Sequence, residues 1–322
     1  MSTSTTTETD FQQDVREGLT SFPKYLYSKY IYDAKGDALF QQIMELPEYY
    51  LTDCEMEIFQ QQTADITRHF KGRGMGFDLI ELGAGDGKKT KILLKQMQEA
   101  GYDFIYKPVD ISSNAIADLN SSLETELPQV NTAPEVGEYF EVLDRLKAFD
   151  KRKKVIMMLG SNIGNLLHKR AISFLRRMQE SMNPEDQLFM GFDQTKDPQV
   201  VLDAYNDPSG VTAEFNKNLL HRINRELGGN FEVDKFKHWE VYDPETGTAK
   251  SYLLATEAMK VHIAELDLHV QFDQWETIHT EISQKYTDKV VDWIASEAGL
   301  ERIASFTDSR NYYKNYLFKK SL

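Results

Sequence analysis

The chain reads as an α/β protein built on a doubly wound, mostly parallel sheet, with a second α+β region inserted into it. Three observations predict this. Short apolar runs alternate with helical patterns between residues 77 and 197. A glycine cluster, ELGAGDG, follows the first of those runs and opens a helix. After Asp197 the alternation stops, and extended segments dominate 231–286 before a helix and two strands close the chain. The 322 residues, 41% hydrophobic and 27% charged, suffice for two domains or one large domain with an insertion.

Taken in order, residues 1–9 are Ser/Thr-rich and expected to be disordered. FQQDVREGLTSF, DALFQQIMEL and TDCEMEIFQQQTADITRHF carry apolar positions at helical spacing, and Thr52 with Glu55 matches a capping box. Gly72, Gly74 and Gly76 punctuate the change to a strand over Phe77–Leu82, a glycine turn and a helix ending at Gly101. DFIYKPVD reads as a second strand, and SSNAIADLNSSLETEL as a helix capped by Ser112 or Ser113. A short strand or loop is expected near GEYFEVL, while KKVIMMLGSNIGNL reads as a buried strand running into a loop, AISFLRRMQESM as a helix and QLFMGFD as a further strand. Beyond it, 198–227 reads as helix interrupted by DPSG, DPETG as a hairpin-type turn, and KVHIAELDLHV alternates with period two. VVDWIASEAGL is a helix, followed by two strands with a turn between them.

Charge and cysteine usage narrow the function classes. Fifty-one acidic against 37 basic residues leave a net charge of −14, which argues against a nucleic-acid partner. No apolar run reaches the roughly 18 residues of a membrane span, and MSTSTTTETDFQQD has no secretory-signal character. A single cysteine, Cys54, excludes internal disulfides and fits the cytoplasm. No long apolar seam is evident, so a monomer is expected. The seven histidines show no HExxH or similar spacing, so no metal is expected, and no GxSxG marks a serine hydrolase.

The strongest local signal is Glu81-Leu-Gly83-Ala-Gly85-Asp-Gly87. Glycines after a buried strand let the backbone turn sharply and approach a ligand, and the helix that follows favours an anionic group. The spacing is neither the G-x-G-x-x-G of dinucleotide sites nor a phosphate loop. Asp110 ends the second strand, where a carboxylate accepts hydrogen bonds from both hydroxyls of a ribose. Together these features resemble the S-adenosylmethionine site of class I methyltransferases; the alternative is a glycine turn serving chain reversal alone. GSNIGN, residues 160–165, follows another parallel strand, where open α/β sheets build their sites; it is either a ligand loop or a plain turn. Glu281 and Ser283, two apart, share one face of a strand.

Several longer segments resemble one family, the L-histidine Nα-methyltransferases of ergothioneine biosynthesis. They are YIYDAKGDALFQQIMELPEYYLT, ELGAGDGKKT, LGSNIGNL, AYNDPSGVTAEFNKNLLHRINREL, LDLHVQF and TEIS, and the resemblance runs from about residue 20 to the C-terminus. It implies a methyltransferase domain over 58–196 plus 287–322 and a substrate domain over 10–57 plus 197–286. It implies that Tyr49, Gly83, Lys89 and Asp110 contact S-adenosylmethionine, whose product is S-adenosylhomocysteine. Glu138 and Tyr139 stand where the family has an Asp–Phe pair near the adenine. Tyr32, Phe40, Gly160, Asn165, Tyr205 and Thr212 match positions around the amino acid, with Asn165 and Tyr205 fixing its head group as the catalytic pair. Glu281 and Ser283 match the pair that holds the imidazole, and Ser251 stands where the family presents a methionine. The implied reaction is Nα-trimethylation of L-histidine to hercynine. The rival readings are a relative methylating another amino acid or an aromatic amine such as tryptophan, a nucleotide-using oxidoreductase, and a binding module. The glycine spacing and the family segments count against the oxidoreductase, and the intact glycines with Asp110 against the binding module.

Overall fold

The structure, a computed structural model, describes residues 9–71, 76–147 and 152–321. Residues 1–8, Gly72 and Gly74 lie outside the described residues. In chain order the first elements are α1 (Asp10–Thr20), β1 (Lys24–Tyr25), α2 (Ala34–Met44), α3 (Tyr50–Phe70), β2 (Phe77–Leu82), α4 (Lys88–Glu99) and β3 (Phe104–Asp110). There follow α5 (Ser113–Glu126), β4 (Glu135–Val136), α6 (Tyr139–Lys147), β5 (Lys153–Met158), α7 (His168–Glu180) and β6 (Gln187–Asp193). The remainder comprises α8 (Pro198–Tyr205), α9 (Val211–Leu227), β7 (Phe236–Asp243), β8 (Thr248–Ala255), β9 (Met259–Ile263) and β10 (Leu268–Phe272). Last come β11 (Thr277–Gln284), α10 (Asp288–Glu297), β12 (Leu300–Thr307) and β13 (Tyr313–Lys320).

These elements form two compact units, one of residues 1–50 and 196–283, the other of 51–195 and 284–322. The sequence reading divides the chain after residues 57, 196 and 286 instead; the units assign all of α3 but its first residue to the parallel sheet.

The second unit is a seven-stranded sheet in the order β12-β13-β6-β5-β2-β3-β4. β4, β3, β2, β5 and β6 run parallel, and β13 is antiparallel to both β6 and β12. From β2 the chain first builds outward to β3 and β4, then returns to β5 on the other side. The carboxyl ends of β2 and β5 therefore flank the switch point, where open α/β sheets bind ligands. β2 is buried along its whole length, which explains its unbroken apolar run. Ile80, Ile156, Leu188 and Phe318, drawn from four strands, share one core with Leu175 of α7 and Ile294 of α10.

Two local expectations are corrected in this unit. The short strand expected near GEYFEVL is β4, just before it, but from Tyr139 the segment itself is helix α6, and Val142 and Leu143 are 0% and 1% exposed. Burying those two side chains in the core overrides the strand preference of an aromatic and β-branched run. No capping box forms at Thr52, because α3 begins two residues earlier and Thr52 lies inside its first turn. Ser112 does cap α5, accepting the Ala115 N–H at 3.2 Å.

The first unit packs helices on a four-stranded sheet, β1-β11-β8-β7, beside the β9–β10 hairpin. β7 and β8 pair antiparallel, and β1 pairs parallel with β11. Phe215, Leu219, Leu220, Ile223 and Leu227 form the buried stripe of α9 and join Phe236, Leu253 and Ile278 in one core. Thr9, expected in the disordered tail, caps α1 through a reciprocal bond pair with Gln12.

Candidate cofactor and substrate sites

In the second unit the turn after β2 needs its glycines. Gly83, Gly85 and Gly87 have φ of 72°, 52° and 63°, the left-handed region that L side chains rarely adopt. A Cβ on Gly83 would lie 2.7 Å from the Tyr139 hydroxyl, and one on Gly87 would lie 2.5 Å from Leu119 Cδ1. At Gly85 a Cβ would meet nothing, so the turn opens onto free space there. Asp110 ends β3 half-buried, its Oδ1 accepting the Ser112 N–H at 3.0 Å. Its other oxygen lies 3.5 Å from the Gly85 amide, at the outer limit of a hydrogen bond, so it retains accepting capacity for a ligand.

Supporting groups surround that turn. Burial pushes the Glu81 carboxyl up to about 7 even though Tyr106 and Thr90 both donate to it. Glu81 thereby ties β2 to β3 and to α4 instead of facing a ligand. Burial, with the Asp110 and Glu138 carboxylates nearby, raises the Tyr139 hydroxyl to about 12, so it remains a neutral donor. Glu138 is exposed. Lys89, in the first turn of α4, donates its ammonium to Glu55. Gly160, two residues beyond β5, has φ 73° and donates its N–H to the same Glu55 oxygen at 3.0 Å. Asn165 is exposed at the end of the short turn Asn162–Asn165.

In the first unit aromatic rings assemble around the predicted amino-acid positions. Tyr32 meets Phe40 at 5.8 Å and Phe215 at 5.4 Å between centroids, both edge-on. Phe40 also meets Tyr49 at 6.3 Å, and Tyr49 meets Tyr205 at 6.2 Å. Tyr49, expected at the cofactor, thus has its ring among residues expected at the amino acid. The Tyr205 and Ser283 hydroxyls are 2.8 Å apart. Burial first, and then the Glu281 carboxylate, push the Tyr32 hydroxyl well above its ordinary range, although 38% of the residue is open.

The backbone that presents these groups is held from several sides. Thr212 is buried in the first turn of α9, and its N–H donates to Asp207 at 2.8 Å. Asp207 caps that helix from the DPSG turn, also accepting from Val211 N–H and the Ser209 hydroxyl. Burial opposes ionisation there, but those donors outweigh it and bring the carboxyl down to about 2. Tyr205 is anchored by His238, whose Nε2 lies 3.0 Å from the Tyr205 carbonyl. A carbonyl only accepts, so that nitrogen carries the proton, and burial keeps the ring neutral by lowering its pKa. Ser251 is buried and donates to Glu240 at 2.7 Å.

The model of the family described as "Histidine-specific methyltransferase, SAM-dependent" matches residues 11–320. The chain belongs to that family. It is 36% identical over 298 residues to a histidine N-alpha-methyltransferase of Mycolicibacterium smegmatis, covering 92% of this chain and 91% of that one. The like-named protein of Mycobacterium tuberculosis is 35% identical over 297 residues, with the same coverages. Ergothioneine biosynthesis protein 1 of Schizosaccharomyces pombe is 29% identical over 305 residues, 92% of this chain but 39% of that longer protein. The chain is therefore an S-adenosylmethionine-dependent methyltransferase that acts on histidine, built on a doubly wound sheet.

Sequence reasoning missed two residues of this methyltransferase. Phe215 closes the aromatic cluster from α9, three residues after Thr212 and so on the same helix face; the AEF spacing in AYNDPSGVTAEFN was the available signal. Glu55 is fully buried and accepts from Lys89, Gly160, Tyr313 at 3.1 Å and Asn315 at 2.8 Å. Two of those donors are predicted site residues, and no local pattern joins them to a glutamate on α3.

Proposed function

We propose that the chain catalyses Nα-trimethylation of L-histidine to hercynine, the first step of ergothioneine biosynthesis. The cofactor supplies an electrophilic methyl group on its sulfonium. The open backbone at Gly85, beside the half-buried Asp110 carboxylate, fits that group. Gly83 and Lys89 would flank its amino-acid end, Asp110 would accept from the ribose hydroxyls, and Glu138 with Tyr139 would border the adenine. The amine must reach the methyl carbon uncharged and in line, so catalysis rests mainly on positioning. Asn165 and Tyr205 would hold the head group, with Gly160, Thr212, Tyr32 and Phe40 around it, and Tyr49, whose ring meets Phe40 and Tyr205, would contact the cofactor. Each transfer removes an N–H donor, so the carboxylate must carry part of that hold.

The observation that carries the histidine reading is the set of Glu281, Ser283 and Tyr205 beside the Tyr32 ring. A carboxylate accepting one imidazole N–H, with a hydroxyl serving the other nitrogen, favours histidine over apolar side chains. Calorimetry with S-adenosylhomocysteine and histidine, tryptophan or tyrosine tests this. Histidine alone should bind, more tightly with the cofactor product present. Glu281→Ala should lower histidine kcat/KM roughly 10- to 150-fold, the loss of one charge-assisted hydrogen bond. An unchanged value would remove the imidazole assignment. No helix of the described residues is long and apolar enough to cross a membrane. A monomeric, cytoplasmic enzyme working without metal or nucleic acid completes the proposal, supported by the single buried thiol and the net charge of −14.

A further inference from the structure

The β9–β10 hairpin carries a cluster that methyl transfer does not use. His262 and His269 are direct partners across the two antiparallel strands. Their rings stack with centroids 4.3 Å apart and planes within 18°. Asp267 closes the turn between the strands with φ 44°, two residues before His269. One ligand atom from each of the three lies within 4.8 Å of the other two. His262 is half-buried, while Asp267 and His269 are exposed and open to solutes.

The backbone under this cluster is fixed. Asn230 accepts the His262 N–H at 2.7 Å and donates its own N–H to the His262 carbonyl at 3.1 Å. Arg16 donates to the Leu266 carbonyl at 2.9 Å, which holds the turn. Bonds of about 2.0–2.2 Å in tetrahedral geometry need ligand atoms roughly 3.3–3.6 Å apart, so modest side-chain rotations close the set around one ion. As direct cross-strand partners, His262 and His269 project from the same face of the hairpin, and coordination would turn their rings out of the stacked arrangement.

We propose that His262, Asp267 and His269 bind a single first-row divalent cation of the zinc or nickel class, at a site separate from the methyl-transfer residues. Two imidazoles and one carboxylate suit such borderline ions, whereas magnesium and calcium prefer all-oxygen sets. Solvent would complete the coordination. The ion would join the two strands of the hairpin and so stabilise the unit that carries it.

The test uses full-length protein without a polyhistidine tag, in buffer without free histidine, which itself chelates metals. Zn2+ alone is titrated by calorimetry and Co2+ alone by visible absorption. One saturable ion per chain is expected, with the absorption bands of a nitrogen-ligated Co2+. His262→Ala and His269→Ala should each weaken binding by about tenfold or more, and Asp267→Asn by less. His69→Ala, on the exposed surface of α3, should leave binding unchanged. Zn2+ should raise the melting temperature of the parent but not of the His262→Ala/His269→Ala double variant, whose methyl transfer should match the parent. Absence of saturable binding, or binding that survives the double substitution, would overturn the proposal and leave ring stacking as the role of the pair.

Discussion

Replacing Glu55 by glutamine keeps the shape of a side chain that is 0% exposed but removes its charge and half of its accepting capacity. Four donors converge on that carboxylate: the Lys89 ammonium and Gly160 N–H on one oxygen, Tyr313 and Asn315 on the other. If the remaining amide oxygen serves Tyr313 and Asn315, an NH2 group is left facing a lysine and a backbone N–H. The loss is the lysine ion pair and the bond from the Gly160 N–H, about 2–4 kcal/mol together. For a unit of this size that corresponds to a fall in melting temperature of roughly 5–15 °C. Glu55→Ala, which leaves all four donors without the carboxylate, should cost about 3–5 kcal/mol. Scanning calorimetry reads the stability, and titration with S-adenosylhomocysteine reads the site, since Lys89 and Gly160 both lose their anchor. Affinity for the cofactor product should fall more for Glu55→Gln than for a solvent-facing α3 substitution such as Gln61→Ala. A Glu55→Gln protein that melts with the parent and binds the cofactor product equally well would refute the reasoning.

The glycine turn and the α9 cap yield two further expectations. Gly83→Ala places a methyl 2.7 Å from the Tyr139 hydroxyl at φ 72°, so it should cost about 1–2 kcal/mol of backbone strain and weaken S-adenosylhomocysteine binding in the same titration. Asp207 titrates near 2 in the folded chain against 3.8 for the free side chain, so its contribution is complete above about 4 and is lost as pH falls through 2. That contribution is at most about 2 kcal/mol, reduced by solvent screening, and Asp207→Asn should therefore narrow its stability gap to the parent between pH 5 and 2 in acid unfolding monitored by circular dichroism.

What could be read from the sequence was whatever is local along the chain. β2, the turn through Gly87 and Asp110 follow from an apolar run, a glycine spacing and a strand-terminal carboxylate within 34 residues, and Ser112 capped its helix as its position suggested. Local signals misled where tertiary burial decided the outcome, as in α6, whose tyrosine, phenylalanine and valine have strand preferences but whose Val142 and Leu143 fill the core. The Thr52–Glu55 spacing fits a capping box only while α3 starts at residue 53; once the helix begins at Tyr50, Glu55 turns inward to partners 34 to 260 residues away. The period-two pattern of KVHIAELDLHV changes phase between Ile263 and Ala264, where the turn begins, but a phase slip alone does not give the hairpin register that pairs His262 with His269. These two cases share one cause. A carboxylate that gathers predicted site residues and an imidazole pair that faces a turn are both created by chain reversal, which a one-dimensional spacing does not encode. Such groups are therefore where function beyond a family motif is to be sought, and Glu55 and the hairpin histidines are separable tests of that view because they lie in different units of the chain.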